Sequence, residues 1–124
     1  MTLDTNILIA FLAGDERVIE SILAWRTSGR TLFLSSITKC ELLSYPYLTS
    51  AEERRIDYML HEHFVVLPFD DYRAERTATI RRSIPSLKIP DAAIASVAIE
   101  MGTPLVTRNI KDFKKVPDLH IISL

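Results

Sequence analysis

The sequence predicts an α/β domain in which a central parallel β-sheet is flanked by helices, and three observations carry that prediction. Four short runs rich in branched and aromatic residues, at 31–35, 64–67, 104–107 and 119–122, have the length and composition of buried strands. Segments with helical periodicity separate them, and strands that alternate with helices pack as a parallel sheet covered on both faces. No repeat, low-complexity tract or linker interrupts the 124 residues, so residues 1–124 form a single domain.

The elements follow in order. The residues before Asp4 make a clipped first strand, and a helical pattern opens in Asp4-Thr5-Asn6-Ile7. Val18, Ile22 and Trp25 recur at helical spacing with Ile19 and Leu23 beside them. After strand 31–35 comes a helix that carries Glu41 in its first turn or two. In the charged stretch 51–63, Ile56, Met59 and Leu60 form an apolar stripe, and strand 64–67 follows. Residues 70–84 read as a mostly polar helix whose apolar content is Tyr72, Ala74, Ala78 and Ile80. The helix after Pro90 repeats Ile94, Val97, Ala98 and Met101 at i, i+3, i+4 and i+7, and Gly102 stops it.

Composition narrows the class of function. Apolar residues make up 48% and charged residues 25%, an ordinary globular balance. Fifteen Lys+Arg against sixteen Asp+Glu leave a net charge of −1, which excludes a generally polybasic nucleic-acid binder. The balance is uneven along the chain. Residues 1–72 hold six basic and eleven acidic side chains, and residues 73–124 hold nine and five. Most of the excess lies in Arg73, Arg76, Arg81, Arg82 and Lys88, opposed by Glu75. Such a cluster is either a solvated helix face or a grip on phosphates. A single cysteine, Cys40, suits a reducing compartment, the start lacks a basic n-region, and the apolar run Ile7–Ala13 is far short of a membrane span. The expected location is the cytoplasm, with no membrane partner.

In a parallel sheet of this kind, ligands bind beyond the carboxyl ends of the strands. Asp4, Glu41 and Asp91 all stand at strand-to-helix junctions, and Asn109 follows strand 104–107 with Asp112 one helical turn beyond. Each has a structural alternative. Asp4 suits a helix N-cap. Thr38-Lys39-Cys40-Glu41 matches the capping-box pattern. Asp91 after Pro90 complements a helix dipole, worth ~0.3–1 kcal/mol. Gathered at one sheet edge, however, the carboxylates raise one another's pKa and oppose folding. A divalent cation makes that arrangement tolerable, and an all-oxygen set favours Mg²⁺ or Mn²⁺. Such an ion activates water for attack on a phosphodiester.

Other motifs carry less. His61-Glu62-His63 lacks a third ligand nearby and reads as a helix-end surface feature, and Cys40, without a histidine base, as a small packing residue. A phosphoacceptor receiver needs an aspartate at the end of its third strand, but Asp57 lies in a helical stretch. An aspartate-nucleophile phosphatase needs a second aspartate where this chain has Asn6.

Four segments taken in order, Leu3-Asp4-Thr5-Asn6-Ile7-Leu8-Ile9, Ser35-Ser36-Ile37-Thr38-Lys39-Cys40-Glu41-Leu42, Asp91-Ala92-Ala93-Ile94-Ala95 and Leu105-Val106-Thr107-Arg108-Asn109-Ile110-Lys111-Asp112-Phe113, resemble a PIN domain, in particular the VapC-like toxins of toxin–antitoxin pairs. The resemblance implies a PIN-like three-layer α/β domain and an endoribonuclease that hydrolyses RNA with Mg²⁺ or Mn²⁺. It also implies a homodimer and a small VapB-like antitoxin that wraps the toxin and blocks its site. By position, Asp4, Glu41 and Asp91 match the family carboxylates. Asp4 and Asp91 then hold the metal directly and Glu41 directly or through water, with Thr5, Asn6 and Thr107 as hydrogen-bond partners. Asn109 falls where many members carry a fourth acid, and Asp112 either substitutes for it or caps the short helix there. Arg73, Arg76, Arg81 and Arg82 are placed to track an RNA backbone. Ile7–Leu12 and Trp25 belong either to the core or to an antitoxin groove. Asn109 also keeps open a catalytically weak PIN scaffold that binds RNA or a protein partner.

Overall fold

The computed structural model describes Met1–Leu124 and contains five strands and seven helices. The strands are β1 (Thr2–Leu3), β2 (Phe33–Ser35), β3 (Val65–Leu67), β4 (Leu105–Thr107) and β5 (Ile121–Ser123). They form one sheet in the order β3-β2-β1-β4-β5, and every neighbouring pair is parallel. The helices are α1 (Thr5–Leu12), α2 (Glu16–Thr27), α3 (Ser36–Leu43), α4 (Ser50–His63), α5 (Asp71–Ser83), α6 (Ile89–Met101) and α7 (Ile110–Phe113).

Register sorts the strand side chains onto two faces. Leu3 pairs with Val106 across β1 and β4, and Thr2 pairs with Leu105. Because side chains alternate along a strand, these neighbours enter different cores. Leu3, Leu34 and Val106 join Ile7, Leu8, Val18, Ile22, Leu42, Ile56 and Leu60 from α1, α2, α3 and α4, and Phe64 just after α4. Leu105 joins Leu87, Ile94, Ala98, Phe113 and Val116 on the side of α6 and α7. The result is three layers.

Helix α6 shows why the apolar stripe at Ile94, Val97, Ala98 and Met101 understates the burial. Every residue from Ala92 to Ala98 is buried, Ser96 included. The helix lies between the sheet and α5, so it has no solvent face there, and its alanines admit close approach on several sides. Gly102 ends it in the left-handed conformation at φ 61°, which glycine reaches without steric cost.

Two S/T-x-x-E patterns turn out differently. Thr49 and Glu52 form a reciprocal capping box at the start of α4. Thr38-Lys39-Cys40-Glu41 does not, because α3 begins earlier: Ser35 caps it by accepting from the Ile37 N–H. Glu41 therefore sits inside the helix with its side chain free for another use. The packing expectation for Cys40 is also corrected, since that residue is exposed on the outer face of α3.

Candidate active site

Each acidic residue reaches the carboxyl edge of the sheet by a different local device. β1 ends at Leu3, and Asp4 is the N-cap of α1, in extended conformation with Oδ1 accepting from the Thr5 N–H at 2.7 Å. Its other oxygen, Oδ2, accepts from Thr107 Oγ1 at 2.6 Å and from Asn6 Nδ2 at 2.7 Å. Thr107 is the last residue of β4, the strand beside β1, so sheet register delivers that contact. Glu41 accepts from Thr5 Oγ1 at 2.8 Å through Oε1. Asp91 occupies the first turn of α6, after Pro90.

The short helix α7 brings the fourth pair. Asn109 receives no charge of its own, but its Nδ2 donates to Asp112 Oδ2 at 3.0 Å, and its backbone N–H donates to Thr107 Oγ1 at 2.9 Å. Asn109 stands at the N-cap position of α7 and makes no side-chain capping bond, and Asp112 does not cap that helix. Asn109 thus holds the neighbouring carboxylate.

The electrostatics are those of uncompensated negative charge. Asp4 is only 4% exposed. Burial pushes its carboxyl above the ordinary range and Glu41 adds to that, while the bonds from Thr107, Thr5 and Asn6 work in the opposite direction. Asp91 is also pushed up, first by burial and then by Asp4, Asp112 and Glu41, with Lys88 the opposing charge. Neither aspartate is in a salt bridge.

These residues fit a hard divalent cation. All the donors are oxygens, Thr5, Asn6, Thr107 and Asn109 already orient those of Glu41, Asp4 and Asp112, and the mutual repulsion is of the kind a cation relieves. No three His, Cys, Asp or Glu side chains stand close enough together to hold an ion by themselves. That is compatible with Mg²⁺, which keeps several waters and binds through one or two carboxylates plus substrate oxygens.

The arginines divide. Arg73 makes a two-pronged pair with Glu100 of α6, Nε and Nη2 each at 3.0 Å. Arg81 donates to the carbonyls of Pro85 and Leu87 and pins the turn into α6. Of the four arginines expected to track RNA, Arg73 through Nε and both Nη atoms and Arg81 through Nη1 thus bond within the fold, where they join α5 to α6. Arg76 stacks over Tyr72 at 5.5 Å and donates to its hydroxyl, and Arg82 lies exposed with one long bond to Thr79.

Sequence reasoning missed Arg108. Its backbone N–H donates to Asn6 Oδ1 and its guanidinium ties Asp15, the N-cap of α2, to the Leu124 carbonyl. Only its place beside Thr107 and Asn109 in the sequence hinted at such a role. Ile7 and Leu8 are core, whereas Ile9 is 56% and Leu12 44% exposed, and Trp25 is half-buried against the core. His61 ends α4 at the surface, bonded to the Asp57 carbonyl.

A parallel three-layer sandwich with carboxylates gathered at the carboxyl edge of its strands defines the class of domain to which the comparisons with known proteins then give a name. The PIN domain family model matches residues 1–119, and the chain belongs to that family. It is 29% identical over 133 residues to ribonuclease VapC1 of Rickettsia felis, with 100% of this chain and 96% of that protein covered. It is 30% identical to the tRNA(fMet)-specific endonuclease VapC of Salmonella typhimurium, covering 96% and 93%. A toxin–antitoxin complex from Klebsiella pneumoniae superposes with a TM-score of 0.78 at 30% identity, covering 98% of this chain and 94% of that one. No helix is long and apolar enough to cross a membrane.

Proposed function

We propose that this chain is a metal-dependent endoribonuclease and the toxin of a toxin–antitoxin pair. The observation that carries the reading is the group of Asp4, Glu41, Asp91 and Asp112 at one sheet edge, with Asp4 and Asp91 both raised by burial and by neighbouring carboxylates. The relatives' names, ribonuclease and endonuclease, support the reaction class.

Asp4 and Asp91 would hold Mg²⁺ or Mn²⁺, with Glu41 as a further ligand directly or through water. Bound there, the ion supplies positive charge to offset the phosphodiester and lowers the pKa of water. The protein's own residues do the positioning. Thr107, Asn6 and the Thr5 N–H fix both oxygens of Asp4. Thr5 fixes Glu41. Asn109 fixes Asp112, which places a carboxylate near the position where the family commonly has one. Arg76 and Arg82 remain to meet RNA phosphates.

We assign the antitoxin to the cleft of about 770 Å³ between α1 and α4, lined by Phe11, Leu12, Leu48, Ile56 and Met59 together with Glu52, Arg54 and Arg55. Its mostly apolar lining suits the apolar face of an amphipathic helix. A homodimer is part of the same reading, supported by exposed Phe69, Tyr72 and Ile89 on the α5–α6 side. The cytoplasm is the matching compartment.

RNA cleavage with and without EDTA tests the reaction. Cleavage by the wild type that EDTA abolishes and added Mn²⁺ restores is the expected result, with Asp91→Asn inactive throughout. RNA binding without cleavage under every metal condition would leave the scaffold reading in its place.

A further inference from the structure

A strand of RNA carries one negative charge per nucleotide, and the edge that would cut it carries Asp4, Glu41, Asp91 and Asp112. Even with a divalent cation at the scissile phosphate, the phosphates on either side approach a carboxylate-rich surface. They are held only where cations stand beside it. Several cations close in the chain to these acids are engaged elsewhere. Lys39, on the same helix as Glu41, pairs with Asp57. Arg108, next to Asn109, pairs with Asp15. Two lysines remain.

Lys88 is the N-cap residue of α6, and Asp91 lies three residues on, across the first turn. Residues so spaced are neighbours on a helix, and Lys88 opposes the acids that act on Asp91. Its side chain makes no capping bond and joins no ion pair, and the residue is exposed. A cation there meets the positive end of the helix, at a position where Ser, Thr, Asp or Asn serves better. Lys88 thus weakens the helix it caps, and no ion pair in the fold compensates.

Lys115 reaches the same place from the other side. Its Nζ lies 3.8 Å from Asp112 Oδ1 and donates to Ser86 Oγ at 3.4 Å. Ser86 stands two residues before Lys88, so this bond brings the chain after α7 against the turn that leads into α6. Both contacts are long, the Lys115 side chain is 40% exposed, and an ammonium has three donors. Nζ is therefore free to meet a further oxygen.

We infer that Lys88 and Lys115 hold the phosphates flanking the scissile one and so set the path of RNA across the acidic edge, an inference that rests on the ribonuclease reading. Contacts of this kind fix the register of a strand without reading its bases. The rival role is internal: two cations that only ease the crowding of Asp91 and Asp112 in the metal-free protein.

The test follows fluorescein-labelled oligo(U) on the full chain by anisotropy, over a range of salt, in EDTA so that RNA is bound but not cut. The Lys88→Ala/Lys115→Ala double variant should reduce the salt slope of binding by about 1.4, or about 0.7 for each lysine. The double arginine variant, Lys88→Arg/Lys115→Arg, should keep the wild-type slope. Arg30→Ala, before β2 at the amino edge of the sheet, should leave it unchanged. With Mg²⁺ restored, the double alanine variant should show a raised KM and little change in kcat. A wild-type slope and KM in that variant overturn the grip and leave the lysines to the internal role. An equal fall in slope from Arg30→Ala also overturns it, since any surface cation would then serve. Absence of RNA cleavage by the unsubstituted chain in both Mg²⁺ and Mn²⁺ overturns the ribonuclease reading itself, which is a separate result.

Discussion

At the carboxyl edge of the sheet, Asp4 stands in the field of Glu41, and Asp91 in that of Asp4, Asp112 and Glu41, and the side chains that bond Asp4 are neutral threonine and asparagine groups. On α5, Arg73 closes on Glu100 and Arg81 on two carbonyls of the turn into α6. Both regions concentrate charge of one sign, yet the fold satisfies one and leaves the other in deficit. Charges engaged inside the molecule hold helices together. Charges oriented by hydrogen bonds but left without a counter-ion wait for something from outside.

The comparison breaks first at the acidic edge. Asp91→Asn should lower Mg²⁺-dependent cleavage by at least about 10²-fold, of the order seen when one preorganised electrostatic group is removed. Gel assays of labelled RNA would read it, and near-normal activity would remove Asp91 from the site. Second in size is Arg73→Ala, which leaves the Glu100 carboxylate partly buried without its partner and should cost about 3 kcal/mol of stability. Urea unfolding measures that, while cleavage per folded molecule should stay within a factor of two or so. Unchanged stability would return Arg73 to the list of free arginines.

Smaller effects sharpen the contrast. Asn109→Ala frees Asp112 and should weaken metal-dependent cleavage by about tenfold, the scale of losing a group that orients a ligand. Asp91→Asn should also raise the thermal midpoint of the metal-free protein at neutral pH. The sign follows from linkage: a carboxyl whose folded pKa lies above its unfolded value favours folding below the unfolded pKa, and that benefit is lost as pH rises through the folded value. The advantage of the variant should therefore shrink as pH falls through the carboxylate range. Mg²⁺ should stabilise the wild type but much less the variant, by mass action on the folded state. Smallest is Arg82→Ala. It should leave stability within about 0.5 kcal/mol and reduce the salt slope of single-stranded RNA binding by about 0.7.

Much of the fold was legible because its signals are local. The four apolar runs became β2 to β5 within a residue or two, and Gly102 and Pro90 marked the ends of α6. Glu41 was harder to read, since Thr38 to Glu41 has the capping-box pattern and Ser35, three residues earlier, is the actual cap. Cys40 was misread because burial depends on which face of α3 meets the core, and α3 is too short to show a clear period. The convergence of Asp4 with Thr107, residues 103 apart in the chain, had no local signal at all.

The sequence by itself determined the alternation of elements, the positions of the junction acids and the likeness to a family, because propensity, periodicity and motif order are properties of neighbours along the chain. Tertiary structure alone decided which charges are free. Arg73 and Arg82 are the same residue type on one helix, and only the packing of α5 on α6 sets Glu100 against the first and leaves the second to solvent. Pairing depends on distance in space, and register and helix packing set that distance.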